Sequence, residues 1–369
     1  MSGENFETAA ARIVVIGIGG GGCNAVNRMV DDNLPVEFYV MNTDLQTLQG
    51  SKVAKSNRIV LGNEITQGLG AGGDAEIGRK AAEASAEEIR NVIRGANMVF
   101  IAAGMGGGTG TGAAPVVANI CKEEKALTIA VVTRPFSFEG KVKFTNSISG
   151  LNNLKNAVDS IIVISNDKLL MTNGNDSIEV AFQTCDQVLS QSVSTVINLI
   201  LMPGIINLDF ADIRKTLENS GIALIGYGHG KGSNKALEAA QSAIACPLLE
   251  TPMSGARRSI IAVTCGPMVS LYEAQDCVNR IKDEASNAVD VKWGVAINEQ
   301  LGDEIIVSII ASDFKDEVTF TEQSGFKVIS SEPEEKKIEK DKPAPEEEKE
   351  NENSEEDILP NFLKDKNID

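Results

Sequence analysis

The stretch GMGGGTGTG, Gly104 to Gly112, has the makings of an anion cradle. Gly104, Gly106, Gly107, Gly108 and Gly110 put few side chains between backbone N–H groups and a ligand. A helix-like run opening near Ala113 would add the positive end of its dipole. Thr109 and Thr111 offer hydroxyl donors to phosphate oxygens, and Pro115 suits a first helical turn, where it removes no hydrogen bond. A second run, VVIGIGGGGCNAV (Val14 to Val26), places Gly17, Gly19 and Gly22 at G-x-G-x-x-G spacing, with Asp44 about 20 residues further on. That is the dinucleotide fingerprint, so a nicotinamide enzyme is one reading. A third cluster, GLGAGGDAEIG, carries Gly70, Ala71 and Gly72 and also precedes a helical pattern. A tight backbone crossing explains one such cluster. Three together fit a di- or triphosphate wrapped by backbone. The P-loop pattern G-x-x-x-x-G-K-[ST] is absent, as are the kinase H-R-D and D-F-G.

Hydrolysis would need an aimed water, and the side chains available are carboxylates. The chain has one histidine, His229, which reads as a loop residue in GYGHGKGSN. Its six cysteines form no C-x-x-C pair, so a zinc site is not expected, and several lie in apolar runs that suit reduced, cytosolic, structural thiols. Asp209 and Asp212, in NLDFADIR, are three apart and share one face of a helix start. They can serve as N-cap and first-turn dipole partner, as catalytic acids, or as both.

These residues need a scaffold. RIVVIGIG, VEFYVMNT, NRIVLG, NMVFIAAGM, LTIAVVTRP and DSIIVIS read as buried strands, separated in several places by helical patterns such as Gly78–Gly95 and Ala113–Ala126. This alternation predicts an α/β fold with a doubly wound, mostly parallel sheet over residues 12–176, with both main glycine runs in strand-end loops. Residues 177–203 read as a long central helix, with Ile178, Ala181, Cys185, Val188 and Ser192 on one face; an ordinary core helix of one large domain is the alternative. Residues 204–320 predict a second α+β domain, in which the strands flanking EQLGDE suggest a hairpin. Residues 1–11 read as a disordered tail without signal-peptide character, and no apolar run approaches the ~20 residues of a membrane span.

The chain of 369 residues has 34 basic and 52 acidic side chains, a net charge of −18, which argues against broad nucleic-acid or anionic-membrane binding. Much of the acidity lies in residues 321–356, which predict a disordered linker. Residues 357–369, DILPNFLKDKNID, restore apolar character with Ile358, Leu359, Phe362 and Leu363.

GIGGGGCNAV, MNTD, GLGAGG, GMGGGTGTGAAP, RPFSFEG, SNDKLL and NLDFADIR stand in the order found in FtsZ, the bacterial tubulin-like cell-division GTPase family, which the chain resembles from roughly Arg12 to Phe314. The resemblance implies a tubulin-like fold, GTP and GDP as ligands, and Mg²⁺ on the phosphates. It also implies a homopolymer of head-to-tail filaments that forms a cytoplasmic ring at mid-cell. It places Gly20, Gly21 and Gly22 under the nucleotide, with Asn24 similar to a base-contacting position, and Asp186 as the acceptor for guanine N1–H and N2–H₂. Asn166 stands beside Asp186, Phe182 stacks on the base, and Glu139 contacts the ribose. Without it, Asp186 reads as a solvated helix position. Lys143 stands where many members carry Arg, so a bidentate contact becomes a point charge. Asn207, Asp209 and Asp212 would act on the nucleotide of the next subunit. The tail resembles the family's D-I-P-x-F-L-R docking peptide for membrane-anchoring division proteins. Here one residue is inserted before Pro360, Lys364 replaces Arg, and Leu359, Pro360, Phe362 and Leu363 still align. A tubulin-like scaffold that binds nucleotide without hydrolysing it remains a second class, against which Asp209 and Asp212 count.

Overall fold

A computed structural model of the chain describes residues 11–32, 34–172, 177–201, 204–206, 208–246, 253, 255–285, 289–314, 317–320 and 327–329. Asn207, the first ten residues and everything from residue 330 onward, including the docking peptide, lie outside the described residues.

Strand and helix alternate as expected. In chain order they are β1 (Ile13–Ile18), α1 (Gly19–Met29), β2 (Glu37–Asn42), α2 (Leu45–Gln49), β3 (Arg58–Val60), α3 (Asn63–Thr66), α4 (Ala75–Ala84) and α5 (Ala86–Ile93). There follow β4 (Met98–Gly104), α6 (Thr109–Glu123), β5 (Leu127–Arg134), α7 (Lys141–Ala157), β6 (Ser160–Ser165) and α8 (Asn166–Thr172). The 24-residue α9 (Ile178–Leu201) leads to α10 (Phe210–Leu217), β7 (Gly221–Gly230), α11 (Lys235–Ile244) and β8 (Ala256–Cys265). Last come α12 (Leu271–Ala285), β9 (Asp290–Ile297), β10 (Ile305–Phe314) and the small pair β11 (Glu317–Thr319) and β12 (Lys327–Ile329). The β12 strand falls inside the stretch read as linker.

Ten strands form one sheet in the order β3-β2-β1-β4-β5-β6-β7-β10-β8-β9. Neighbours from β3 to β7 are parallel, and β10 is antiparallel to both β7 and β8. Strand β7 joins the two halves: Gly221–Ala223 pair with β6, and Leu224–Gly230 pair with β10. The strands are apolar on both faces because each face is covered. Val14, Ile16 and Ile18 of β1 point into a layer with α4, α5, α6 and α7, whereas Ile13 and Val15 point into one with α1, α9 and α10. Among the described residues no helix is long and apolar enough to cross a membrane.

Several local expectations change. The helix expected from Ala113 begins at Thr109, so Pro115 lies inside α6 rather than in its first turn. The pattern from Gly78 to Gly95 breaks at Ser85, whose hydroxyl accepts the Gly62 N–H at 3.0 Å, and becomes α4 and α5. His229 is in strand β7, opposite Ile306, with its Nε2 2.9 Å from Glu304 Oε2. On α9 the buried stripe runs through Ala181, Cys185, Leu189, Val193 and Val196, while Ile178 is exposed. The strands flanking EQLGDE are not a hairpin. The β9 strand pairs in parallel with β8 at the sheet edge, and β10 inserts between β7 and β8. The almost wholly buried run of β10 demands two strand neighbours, which the half-exposed β9 does not.

Close packing of α4 on α6 depends on Gly112, where a Cβ would collide with Ala75 O and meet Arg79 N at 2.6 Å. Gly112→Val is expected to destabilise the chain by about 1–3 kcal/mol. Urea unfolding checks this, and an unchanged midpoint would contradict the packing.

Candidate functional site

The first six strands have the order 3-2-1-4-5-6, which reverses between β1 and β4. Helices α1 and α6 both start at the carboxyl ends of these strands, so two N-termini converge on the switch point where doubly wound sheets bind ligands.

The three glycine loops pack on one another here. Gly19 adopts φ +70°, and a Cβ on it would meet Gly110 N at 2.9 Å. A Cβ on Gly108 would meet Ala71 Cβ at 2.8 Å and Asp74 O at 2.9 Å. Gly22 and Gly110 are equally committed, against the carbonyls of Ala102 and Gly104. Gly20, Gly72, Gly73 and Gly107 instead face open space. The expected binding glycines therefore divide into those that let the loops close on one another and those that present backbone.

A cavity of about 430 Å³ opens beside them. Of the expected residues, Gly20, Gly21, Asn24, Gly104, Gly107, Glu139, Lys143, Asn166, Phe182 and Asp186 line it. Gly72 and Thr111 line a neighbouring groove of about 900 Å³ beside α4, α6 and α7. Gly22, Gly70, Ala71, Gly106, Gly108, Thr109 and Gly110 support these walls without lining either. The two threonines are already engaged: Thr111 Oγ1 accepts the Gly106 N–H at 2.8 Å, and Thr109 Oγ1 lies 2.7 Å from Thr43 Oγ1.

The far wall comes from β5, α7, α8 and α9. Asn166 is only 6% exposed, and its Oδ1 has no hydrogen-bond partner. Phe182 packs edge-on to Phe136 at 5.1 Å, and Phe136 stacks on Phe138 at 4.9 Å. Glu139 accepts the Phe136 N–H at 2.9 Å and the Lys143 ammonium at 2.9 Å, so both its oxygens have partners. Burial raises the Asp186 carboxyl above the usual carboxylate range, while Arg28 and Asn24 pull it back. Sequence reasoning missed Met105, Thr133, Pro135, Cys185 and Leu189 in this lining. Their signal was position alone: strand ends beside the glycine loop, and neighbours of Asp186 on α9.

The remaining expected acids are elsewhere. Asp209 caps α10, accepting the Asp212 N–H at 2.6 Å, and Asp212 Oδ1 is 3.4 Å from Lys292 Nζ. From Asp186 to Leu201 is 15 helical residues, a rise of ~22 Å. Neither acid lines the cavity; both follow the far end of α9, where Asp212 lies against Lys292 of the edge strand β9. Asp44 has a structural role: it caps α2, accepting from Gln46 N at 2.9 Å and Thr47 Oγ1 at 2.8 Å, and it does not line the cavity. Burial pushes the thiols of Cys23, Cys121, Cys185 and Cys277 up to about 12, which leaves them protonated at neutral pH. Among the described residues no group of three or more His, Cys, Asp or Glu side chains could hold a metal ion.

Glycine loops at a switch point, an unpartnered amide and a half-buried carboxylate define a doubly wound nucleotide-binding protein with a second α+β half. The family model described as "Tubulin/FtsZ family, GTPase domain" matches residues 12–174, and "FtsZ family, C-terminal domain" matches residues 221–315. The chain belongs to the tubulin/FtsZ family and carries its GTPase domain. It is similar to the empty FtsZ dimer of M. jannaschii, with 37% identity over 90% of this chain and 96% of that chain and a TM-score of 0.82. The fold is shared with GDP-bound monomeric CetZ1 of Haloferax volcanii, at 21% identity over 81% of this chain and 93% of that one, TM-score 0.72. It is shared too with a GTPgS-bound CetZ2 protofilament from Haloferax volcanii, at 19% identity over 81% and 92%, TM-score 0.67. Nothing in the comparisons favours the nicotinamide reading.

The raised Asp186 carboxyl has a stability consequence. It binds its proton more tightly folded than unfolded, so its charge opposes folding at neutral pH and has no effect below the unfolded value of about 3.9. In the nucleotide-free chain, Asp186→Asn is expected to raise the urea midpoint at pH 7, and the gain should vanish as pH falls below about 3.9. A lowered midpoint at pH 7 would contradict the assignment.

Proposed function

We propose that the chain is a GTP-hydrolysing cytoskeletal protein that assembles head-to-tail, completes each catalytic site with the next subunit, and forms the cytoplasmic division ring at mid-cell. The observation that carries this is the separation of the nucleotide cavity from Asp209 and Asp212 by the length of α9.

In this reading the backbone of Gly20, Gly21, Gly72 and Gly107 faces the phosphates, with the N-termini of α1 and α6 behind it. Asp186 accepts the guanine N1–H and N2–H₂. Asn166 Oδ1 gains a partner on the base, which relieves an orphaned buried acceptor. Asn24 closes the pocket, and Phe182 covers the ring from the aromatic group it shares with Phe136 and Phe138. Glu139 orients Lys143 as well as facing the sugar, since the two are already paired. Adenine offers an acceptor at N1 and no N2 amine, so Asp186 would discriminate against ATP.

A second subunit brings Asp209, Asp212 and Asn207 over the phosphates. The carboxylates orient and polarise the attacking water, a general-base contribution typical of ~10²–10⁴ in rate. The contact is heterologous, and without a closing rotation it propagates into an open filament. Exposed apolar side chains stand at both halves of it: Leu69 and Phe138 near the glycine loops, Ile205 and Ile297 near the acidic loop. Head-to-tail contact would bury them. Membrane-anchoring partners would dock on Ile358, Leu359, Pro360, Phe362 and Leu363.

Asp212→Ala is expected to retain GTP binding while losing hydrolysis by ~10²–10⁴-fold, about 3–5 kcal/mol of barrier. Phosphate release should be specific for GTP over ATP, and turnover per subunit should rise steeply with protein concentration. A rate per subunit that stays constant on dilution would contradict the shared site. Removing residues 358–369 should spare polymerisation and abolish recruitment of anchoring partners, measured by sedimentation and by localisation; lost assembly would contradict the tail's role.

A further inference from the structure

Strand β9 is an edge strand of the ten-stranded sheet, but the acidic loop covers part of that edge. Ile205 and Ile206 donate to Val295 O at 2.7 and 3.2 Å, and Val295 donates back to Ile206 O at 3.0 Å. Two glycines permit this approach. A Cβ on Gly204 would collide with Val295 O, and one on Gly294 would meet Ile206 O at 2.9 Å and Leu208 Cγ at 3.2 Å. Three positions before Val295, Lys292 reaches across to Asp212 with Nζ 3.4 Å from Oδ1, both side chains partly exposed. The other end of α10 is also tied down. Arg258 donates to the carbonyl of Lys215 and pairs with Asp313 at 3.0 Å. Helix α10 is thus fixed at its C-terminal turn, and its acidic first turn is tied to β9 by one ammonium.

We propose that Lys292 is a positioning residue for hydrolysis: it holds the Asp212 carboxylate in one orientation and offsets its charge as the loop approaches the phosphates of the neighbouring subunit's nucleotide. This rests on the trans-acting reading of Asp209 and Asp212. Two carboxylates directed at a polyphosphate repel it at close range, where little water screens the charges. A compact ammonium 3.4 Å from Asp212 Oδ1 offsets one of them, and it carries three donors. A partly exposed ion pair contributes little to folding. The effect of Lys292 should therefore appear in turnover and not in stability.

The test uses the full chain carrying Lys292→Met, which keeps the length of the stem without the charge, and Lys292→Arg, which keeps the charge. Turnover is measured per sedimented subunit at saturating GTP, alongside KM, the assembled fraction and the urea midpoint. Lys292→Met is expected to lower kcat per assembled subunit about tenfold, the scale of a small misplacement of a catalytic group. KM, assembled fraction and midpoint should stay unchanged, and Lys292→Arg should recover most of the rate. An unchanged or raised kcat in Lys292→Met overturns the proposal. So does a loss that Lys292→Arg fails to rescue or that tracks a fall in the midpoint, because either marks a merely structural side chain. Asp212→Asn made in parallel separates the two levels of argument. If it turns over GTP at the unaltered rate, the trans-acting reading itself fails; if it is inactive while Lys292→Met is not impaired, only the role of Lys292 does.

Discussion

The length and rigidity of α9 govern the rest of the molecule. Its 24 residues rise ~36 Å, and a stripe from Ala181 to Val196 buried beneath the sheet keeps it straight and in place. Its first turns supply Phe182 and Asp186 to the nucleotide cavity. Its last turn delivers the chain to the 204–206 segment, which β9 then holds. In the proposed reading this spacer carries recognition at one end and acids at the other, so a second subunit completes the site and assembly becomes part of catalysis.

The cavity solves a charge problem with backbone. A chain of net charge −18 is a poor partner for an anion at long range. In the proposed reading the converging N–H groups of α1 and α6 take its place at short range, and Lys143 is the cation among the lining residues. Glycine serves this design in two ways. At Gly19, Gly22, Gly108 and Gly110 it lets three loops touch, so the N–H groups are held at fixed spacing. At Gly20, Gly72, Gly73 and Gly107 it leaves that backbone uncovered. On that reading base recognition falls to side chains: the Asn166 Oδ1 acceptor lacks a partner and the Asp186 carboxyl is desolvated.

Much of this was legible along the chain because it is encoded locally. Short β-branched runs, glycine clusters at their ends and the acid pair in NLDFADIR each declare themselves within about ten residues. The doubly wound, parallel arrangement of β1 to β6 followed from alternation, though not the order of the strands. What escaped depends on partners remote in sequence. Strand β9 follows a hairpin-like spacing, yet its half-exposed pattern sends it to the edge while β10 takes the buried position. Helix α6 starts inside the glycine run because Thr111 accepts from Gly106 and stabilises the turn. His229 sits among glycines that resemble a loop but pair as β7. Asp44 fits the dinucleotide fingerprint by spacing alone and is occupied in capping α2. The Lys292–Asp212 contact joins residues 80 apart, and no local pattern announces it.

Complementation between two inactive chains tests the central claim most directly. Asp186→Ala removes base recognition and leaves the acids; Asp212→Ala keeps the nucleotide and removes an acid. Phosphate release from GTP is measured for each variant alone and for an equimolar mixture at the same total concentration. If sites are shared between subunits, each variant alone is inactive and the mixture hydrolyses GTP, because Asp212→Ala subunits hold the nucleotide under the intact loop of Asp186→Ala subunits. A mixture no more active than its components would contradict the account.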